Sequence, residues 1–196
     1  MSRVLAVLGA LALAVAGFAW WANRKVDPPV ETIVASSLQS LNEQNRLSVF
    51  AARFVTAVTS RKAQFGLSAE KTLIIPAMVR YEIDLAGLSQ RDLAWDEGTR
   101  TLTVRLPPVE ISGPEFDLEQ TREYTSGMVL MALTDVEQLL DSENREKAGA
   151  DIVSQARSET TMKLARDAGV RAVANSFAMP LRAAGIEASV QVEFKR

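Results

Sequence analysis

Residues 79–85 read "VRYEIDL", with Val79, Tyr81, Ile83 and Leu85 at alternate positions and Arg80, Glu82 and Asp84 between them. A period of two places successive side chains on opposite faces of a strand. The segment therefore predicts a strand with one apolar face packed and one polar face in water. A sheet at the centre of the chain follows from this pattern.

Upstream, "LSVFAARFVTAV" at 47–58 is rich in β-branched and aromatic residues on both faces, which predicts a strand buried on most of its surface. Downstream, Ser89 followed by Asp92 has the form of a capping box and predicts a short helical turn leading to Trp95. "WDEGTRTLTVRL" at 95–106 predicts a hairpin around Asp96-Glu97-Gly98, with Leu102, Val104 and Leu106 inward and Thr101, Thr103 and Arg105 outward. Pro107 and Pro108 lack N–H donors, so they end the strand or place it at an edge. Glu110, Glu115, Asp117 and Glu119 follow. Their oxygens suit a hard cation, but the spacing and glycine of an EF-hand are missing, and a solvated loop is expected.

Thr134 with Glu137 forms another capping-box pattern. Residues 135–184 are Ala-rich, charged and free of Pro until Pro180, which predicts helices, with breaks near Asp141-Ser142 and Gly149. "MVLMAL" at 128–133 is either core or an exposed adaptable patch. Val170, Val173, Ala174, Phe177, Leu181 and Ala184 give the late helix an apolar face, Gly185 ends it, and "IEASVQVEF" at 186–194 predicts a closing strand. Toward the N-terminus, Asp27-Pro28-Pro29 opens a helix whose Val30, Ile33, Val34, Leu38 and Leu41 form one stripe. The stripe is too short for a coiled-coil stalk and is expected to pack on the domain.

Val4 to Ala22 reads "VLAVLGALALAVAGFAWWA", uncharged and close to the length that crosses a hydrocarbon core. Trp20 and Trp21 suit the headgroup layer, with Arg24 and Lys25 at the water boundary. A transmembrane helix is expected; a cleaved signal peptide is the alternative, with small residues at Ala14-Val15-Ala16 but only Arg3 as a basic start. Basic charge is nearly balanced across the span, and an N-terminal anchor usually acts as an export signal. The expectation is a single-pass protein of the inner (cytoplasmic) membrane with its domain outside the cytoplasm. The fold class is α+β: an N-terminal transmembrane helix, then a single domain with an antiparallel or mixed sheet packed against long C-terminal helices. The expected divisions are a membrane anchor at 1–25, a juxtamembrane amphipathic helix at 26–45 and the α+β domain at 46–196.

The 196 residues contain neither Cys nor His, which removes thiolate nucleophiles, imidazole bases, disulfides and the usual zinc or haem ligands. With 22 basic and 24 acidic residues the chain has no basic footprint, and no nucleic-acid partner is expected. No cofactor and no metal site are expected either. Ser68-Ala69-Glu70-Lys71 matches the S-x-x-K motif of serine–lysine hydrolases, without its companion elements. "GLSAEKT" at 66–72 ends like a phosphate loop, but Glu70 stands where a glycine belongs and would repel phosphate. Arg80, Glu82, Asp84 and Arg105 on polar strand faces are expected to form cross-strand pairs.

The words "LIIPAMVRYEIDLAGLS", "WDEGTRTLTVRLPPVEI" and "FDLEQTREY" together resemble the bacterial membrane-anchored family known as domain of unknown function 4230, over about residues 35 to 195. The resemblance implies an anchor and an extracytoplasmic domain, and carries no catalytic residues to transfer. It suggests Tyr81, Asp84, Pro107, Pro108, Glu110, Arg122 and Tyr124 as candidates for a family surface, with Tyr81, Asp84, Glu110, Arg122 and Tyr124 as binding candidates. The layout, closing on "AAGIEASVQVEF", is also similar to band-7 proteins and suggests assembly at the membrane. The expected function is a non-catalytic binding or assembly domain with a protein partner or a second copy. The alternatives are a band-7-like oligomeric scaffold and a Ser-Lys envelope hydrolase.

Overall fold

In the computed structural model, which describes residues 29–195, the alternating segment forms the end of β2 (Leu67–Asp84), with Leu85 one residue past it. This strand pairs antiparallel with β1 (Arg46–Gln64) along its whole length, from Arg46↔Asp84 to Gln64↔Leu67. Phe65 and Gly66, both at positive φ, form the two-residue turn, the backbone geometry that matches the twist of a tight hairpin. At 18 residues, β2 extends about 60 Å at the usual rise per residue.

Beyond β2, a 3-10 turn at Gln90–Asp92 closes the predicted capping box, with Ser89 and Asp92 reciprocally bonded. β3 (Leu93–Asp96) and β4 (Thr101–Leu106) make the predicted hairpin, with Leu102, Val104 and Leu106 buried. Pro107 and Pro108 then carry the chain from one sheet to another. β4 belongs with β3 and the closing strand, whereas β5 (Val109–Phe116) pairs with β2. β6 (Arg122–Ser126) continues along the same edge of β2, opposite residues 70–74.

Two sheets result where one was expected. Sheet A holds β1, β2, β5 and β6; sheet B holds β3, β4 and β7 (Ser189–Phe194), with β7 parallel to β4. The acidic segment is corrected as well: Glu110 and Glu115 stand on β5, not in a loop.

Helices cover one face of sheet A. α1 (Val30–Glu43) places Val34, Leu38 and Leu41 in the main core, packed on the domain as its stripe predicted. A short α2 (Met128–Leu133) leads into α3 (Val136–Ala156), which is continuous through Ser142 and Gly149, contrary to the expected breaks. A Cβ at Gly149 would make ordinary contact with Phe116 Cζ at 3.9 Å, so the helix runs through this glycine without the packing requiring it. The interruption falls instead at Arg157-Ser158, where Ser158 caps α4 (Glu159–Ala183). Thr134 and Glu137 do not form the expected capping box; the Thr134 hydroxyl donates to the Leu130 carbonyl at the end of α2 and accepts from the Val136 N–H at 3.4 Å.

The core joins the inner faces of both sheets to α1, α3 and α4 through Tyr81, Ile83, Leu102, Val104, Ile152 and Phe177. Among the described residues no helix is long and apolar enough to cross a membrane. The span expected at Val4–Ala22 lies outside the described residues.

Candidate interaction face

β1 and β2 alternate in step, so each contributes every second residue to each face of sheet A. Inward stand Thr56, Ser60, Lys71, Leu73, Ile75 and Val79, all buried. Outward stand Arg53, Val55, Ala57, Thr59 and Arg61 of β1, all exposed. The expectation that 47–58 is buried on most of its surface is therefore corrected: half of β1 faces open solvent. Val55 is 56% exposed, and Met78, at the β2 position paired with Arg53, is 40% exposed.

Charged residues frame this apolar strip. Arg46 pairs with Glu82 and reaches across β2 to Glu110; Arg53 reaches Asp117 at 3.2 Å; Arg80 pairs with Glu115; Arg61 pairs with Glu70. These are exposed pairs, each worth at most about 1 kcal/mol. Guanidinium groups thus pair with Glu110, Glu115 and Asp117 of the acidic cluster considered for a cation.

The five binding candidates fall in different places. Tyr81 is fully buried against Phe50, its hydroxyl donating to the Ala156 carbonyl at 2.8 Å, so it is a core residue. Burial also raises its pKa above the usual phenol value. Asp84 ends β2 and accepts from the Ala86 N–H. Glu110 sits on β5 in the Arg46 pair. Arg122 and Tyr124 share β6 opposite Ile74 and Thr72, and Tyr124 is 59% exposed. Glu110, Arg122 and Tyr124 thus lie along the far edge of sheet A, while Asp84 lies at its end.

The S-x-x-K match has no shared site. On a strand, positions three apart face opposite ways; Ser68 is exposed on the outer side and Lys71 buried on the inner one. Lys71 instead ties the hairpin to α3 and β6. Its Nζ lies 2.5 Å from Asp141, 2.9 Å from Glu123 and 3.8 Å from Glu137. Burial pulls the Lys71 pKa down, but hydrogen bonds to Asp141 and Glu123 outweigh it and the net shift is upward. The amine stays protonated and is no nucleophile. Asn144 adds a bond from Nδ2 to the Lys71 carbonyl at 2.9 Å. The cluster is absent from the expectations drawn from sequence; Asp141 and Asn144, three apart on one helix, are its available signal.

Past this cluster, at the hairpin tip, "MVLMAL" divides between the two alternatives. Leu130 is buried against Ala69, Val136 and Leu140, whereas Met128, Val129 and Leu133 are exposed, as is Phe65 of the turn.

An α+β domain with one open sheet face, and no catalytic set assembled around its one serine–lysine motif, is defined by this geometry. The chain belongs to the family whose model is described as a protein of unknown function (DUF4230), which matches residues 39–192. No match is found among curated proteins or among solved structures.

Proposed function

We propose that this chain is a non-catalytic binding and assembly domain, held at the inner membrane by residues 4–22 with the domain outside the cytoplasm. The observation that carries it is the outer face of β1. The strand is rich in β-branched and aromatic residues, yet Val55, between Arg53 and Ala57 on the outer face, stands more than half exposed on an open sheet. A strand of this composition gains by covering its second face, and about 25 cal/mol per Å² of apolar area removed from water sets the scale of that gain. Tethering in two dimensions raises effective concentration, so modest contacts suffice.

The test is photo-crosslinking from the face itself. A photoreactive phenylalanine analogue in place of Val55 or Met78 of the full chain, irradiated in intact cells, is expected to trap one discrete polypeptide. The same group at Leu164, on α4, serves as control. Absence of any discrete adduct from both outer-face positions would overturn the proposal.

A further inference from the structure

At the start of α1 the described chain begins beside an apolar cavity. Val30, Val34 and Ala35 of α1 line it together with Leu93 and Trp95 of β3 and Leu102 of β4, around a space of about 270 Å³. Val34 and Leu102 are buried, whereas Val30, Leu93 and Trp95 are only partly so, packed against the main core. The Trp95 Nε1 donates to Glu97 at 2.8 Å, so the one polar atom of the indole is satisfied by a residue outside the lining and the ring offers the cavity carbon. An engineered apolar cavity of about 150 Å³ takes up benzene, so this one has room for a run of methylene groups and not for a whole lipid.

Two exposed charges belong to this end of the domain. Glu31 lines the cavity, and Arg91 follows Gln90, also in the lining, on the 3-10 turn. Among the described residues neither forms a salt bridge, unlike Arg46, Arg53, Arg61 and Arg80 of sheet A. A guanidinium and a carboxylate together match the phosphate and the ammonium of a zwitterionic headgroup. The chain's own length limits how far the cavity stands from the membrane: Val30 is eight residues past Ala22, the last of the uncharged run, at most about 28 Å when fully extended. An acyl chain is as apolar in a bilayer as in the cavity, so the gain lies in covering the cavity walls, and a passage through water would forfeit it. Nearness to the bilayer is therefore what lets the cavity fill.

We propose that this cavity takes one acyl chain of a zwitterionic phospholipid from the membrane that holds residues 4–22. This deepens the reading given under Proposed function and rests on its anchor, while using a part of the domain other than the open face of β1. A chain seated there pins α1 and sheet B to the bilayer at a second point besides the tether, and so fixes the orientation in which sheet A meets its partner.

Trp95 is its own reporter. The tryptophans are Trp20, Trp21 and Trp95, so a full-length W20F/W21F chain reports Trp95 alone. It is reconstituted into phosphatidylcholine vesicles whose acyl chains are brominated, since bromine quenches indole emission only near contact. Trp95 emission is expected to fall at least about twofold relative to vesicles without bromine, and Ala35→Phe, which fills the cavity, should restore it. Val30→Phe is the second filling variant, used where the first lowers the thermal midpoint. In mixed vesicles of phosphatidylcholine and phosphatidylglycerol, bromine on the former should quench more than bromine on the latter; equal quenching would overturn the zwitterionic assignment. Quenching that the filling variants leave unchanged would put Trp95 against the bilayer surface and overturn the proposal, as would no quenching in chains that float with the vesicles, and in both cases the anchor stands. Chains that do not float with the vesicles would overturn the anchor and this proposal together.

Discussion

Lys71 of β2 and Asp141 of α3 meet at 2.5 Å, with Lys71 only 3% exposed. Removing one partner of a buried pair costs far more than removing an exposed one, although the partly exposed carboxylate here moderates the effect. Asp141→Ala is expected to lower stability by about 1–3 kcal/mol, and Glu137→Ala, whose contact is 3.8 Å, by clearly less. Urea unfolding midpoints of the two variants check the order; equal effects would contradict it.

Tyr81→Phe removes the hydroxyl that closes the C-terminal end of α3 onto β2 and leaves the Ala156 carbonyl buried. A loss of about 1–2 kcal/mol is expected, with crosslinking from Val55 unchanged. Lost crosslinking in a folded variant would return Tyr81 to the binding face.

Gly127 has φ +80, and a Cβ there would lie 2.1 Å from the Ser68 carbonyl oxygen. Backbone meets backbone, so neither side can yield cheaply. Gly127→Ala is expected to destabilise by more than about 2 kcal/mol and to increase proteolysis around α2 before the rest of the domain opens. A thermal midpoint like that of the parent would contradict this packing.

The pH response should differ at its two ends. Hydrogen bonds first from Lys147 and then from Lys62 lower the Glu143 pKa from 4.5 to about 2. A depressed acid stabilises fully above its unfolded value and loses that contribution as pH falls from about 4.5 toward 2. Lys71 is raised above 10.5, so its contribution holds below that value and is lost only as pH rises beyond it. Glu143→Gln should flatten the acid limb and leave the alkaline limb unchanged, as read from unfolding midpoints across pH.

Location has its own check. Paired C-terminal reporters, one active only outside the cytoplasm and one only inside, should give the outside signal with the protein retained in membranes. Inside activity would reverse the orientation.

Strands with one packed face were legible because alternation is a local signal: "VRYEID", "TLTVRL" and "VQVEF" all lie in strands as read. β5 was not, because Gly113-Pro114 breaks its pattern and its acidic residues resemble a loop until Arg46 and Arg80 on neighbouring strands neutralise them. The continuity of α3 was hidden because Gly149 weakens a helix locally, whereas its neighbour Ala148 is buried against Leu73 and Ile75 of a strand distant in sequence. The Lys71 cluster joins three segments, and only the fold brings them together. β1 is the instructive case. Its richness in β-branched and aromatic residues was visible, but that the face carrying Arg53, Val55 and Arg61 would remain open was not.

The tethered binding face is tested most directly by comparing the Val55 adduct in the full chain with that in a chain lacking residues 1–25, in the same cells and at matched expression. A discrete adduct is expected from the tethered chain and at least a tenfold weaker one without the tether. Equal yield from both would show that capture owes nothing to residues 1–25, and no adduct from either would leave the open face of sheet A without a binding role.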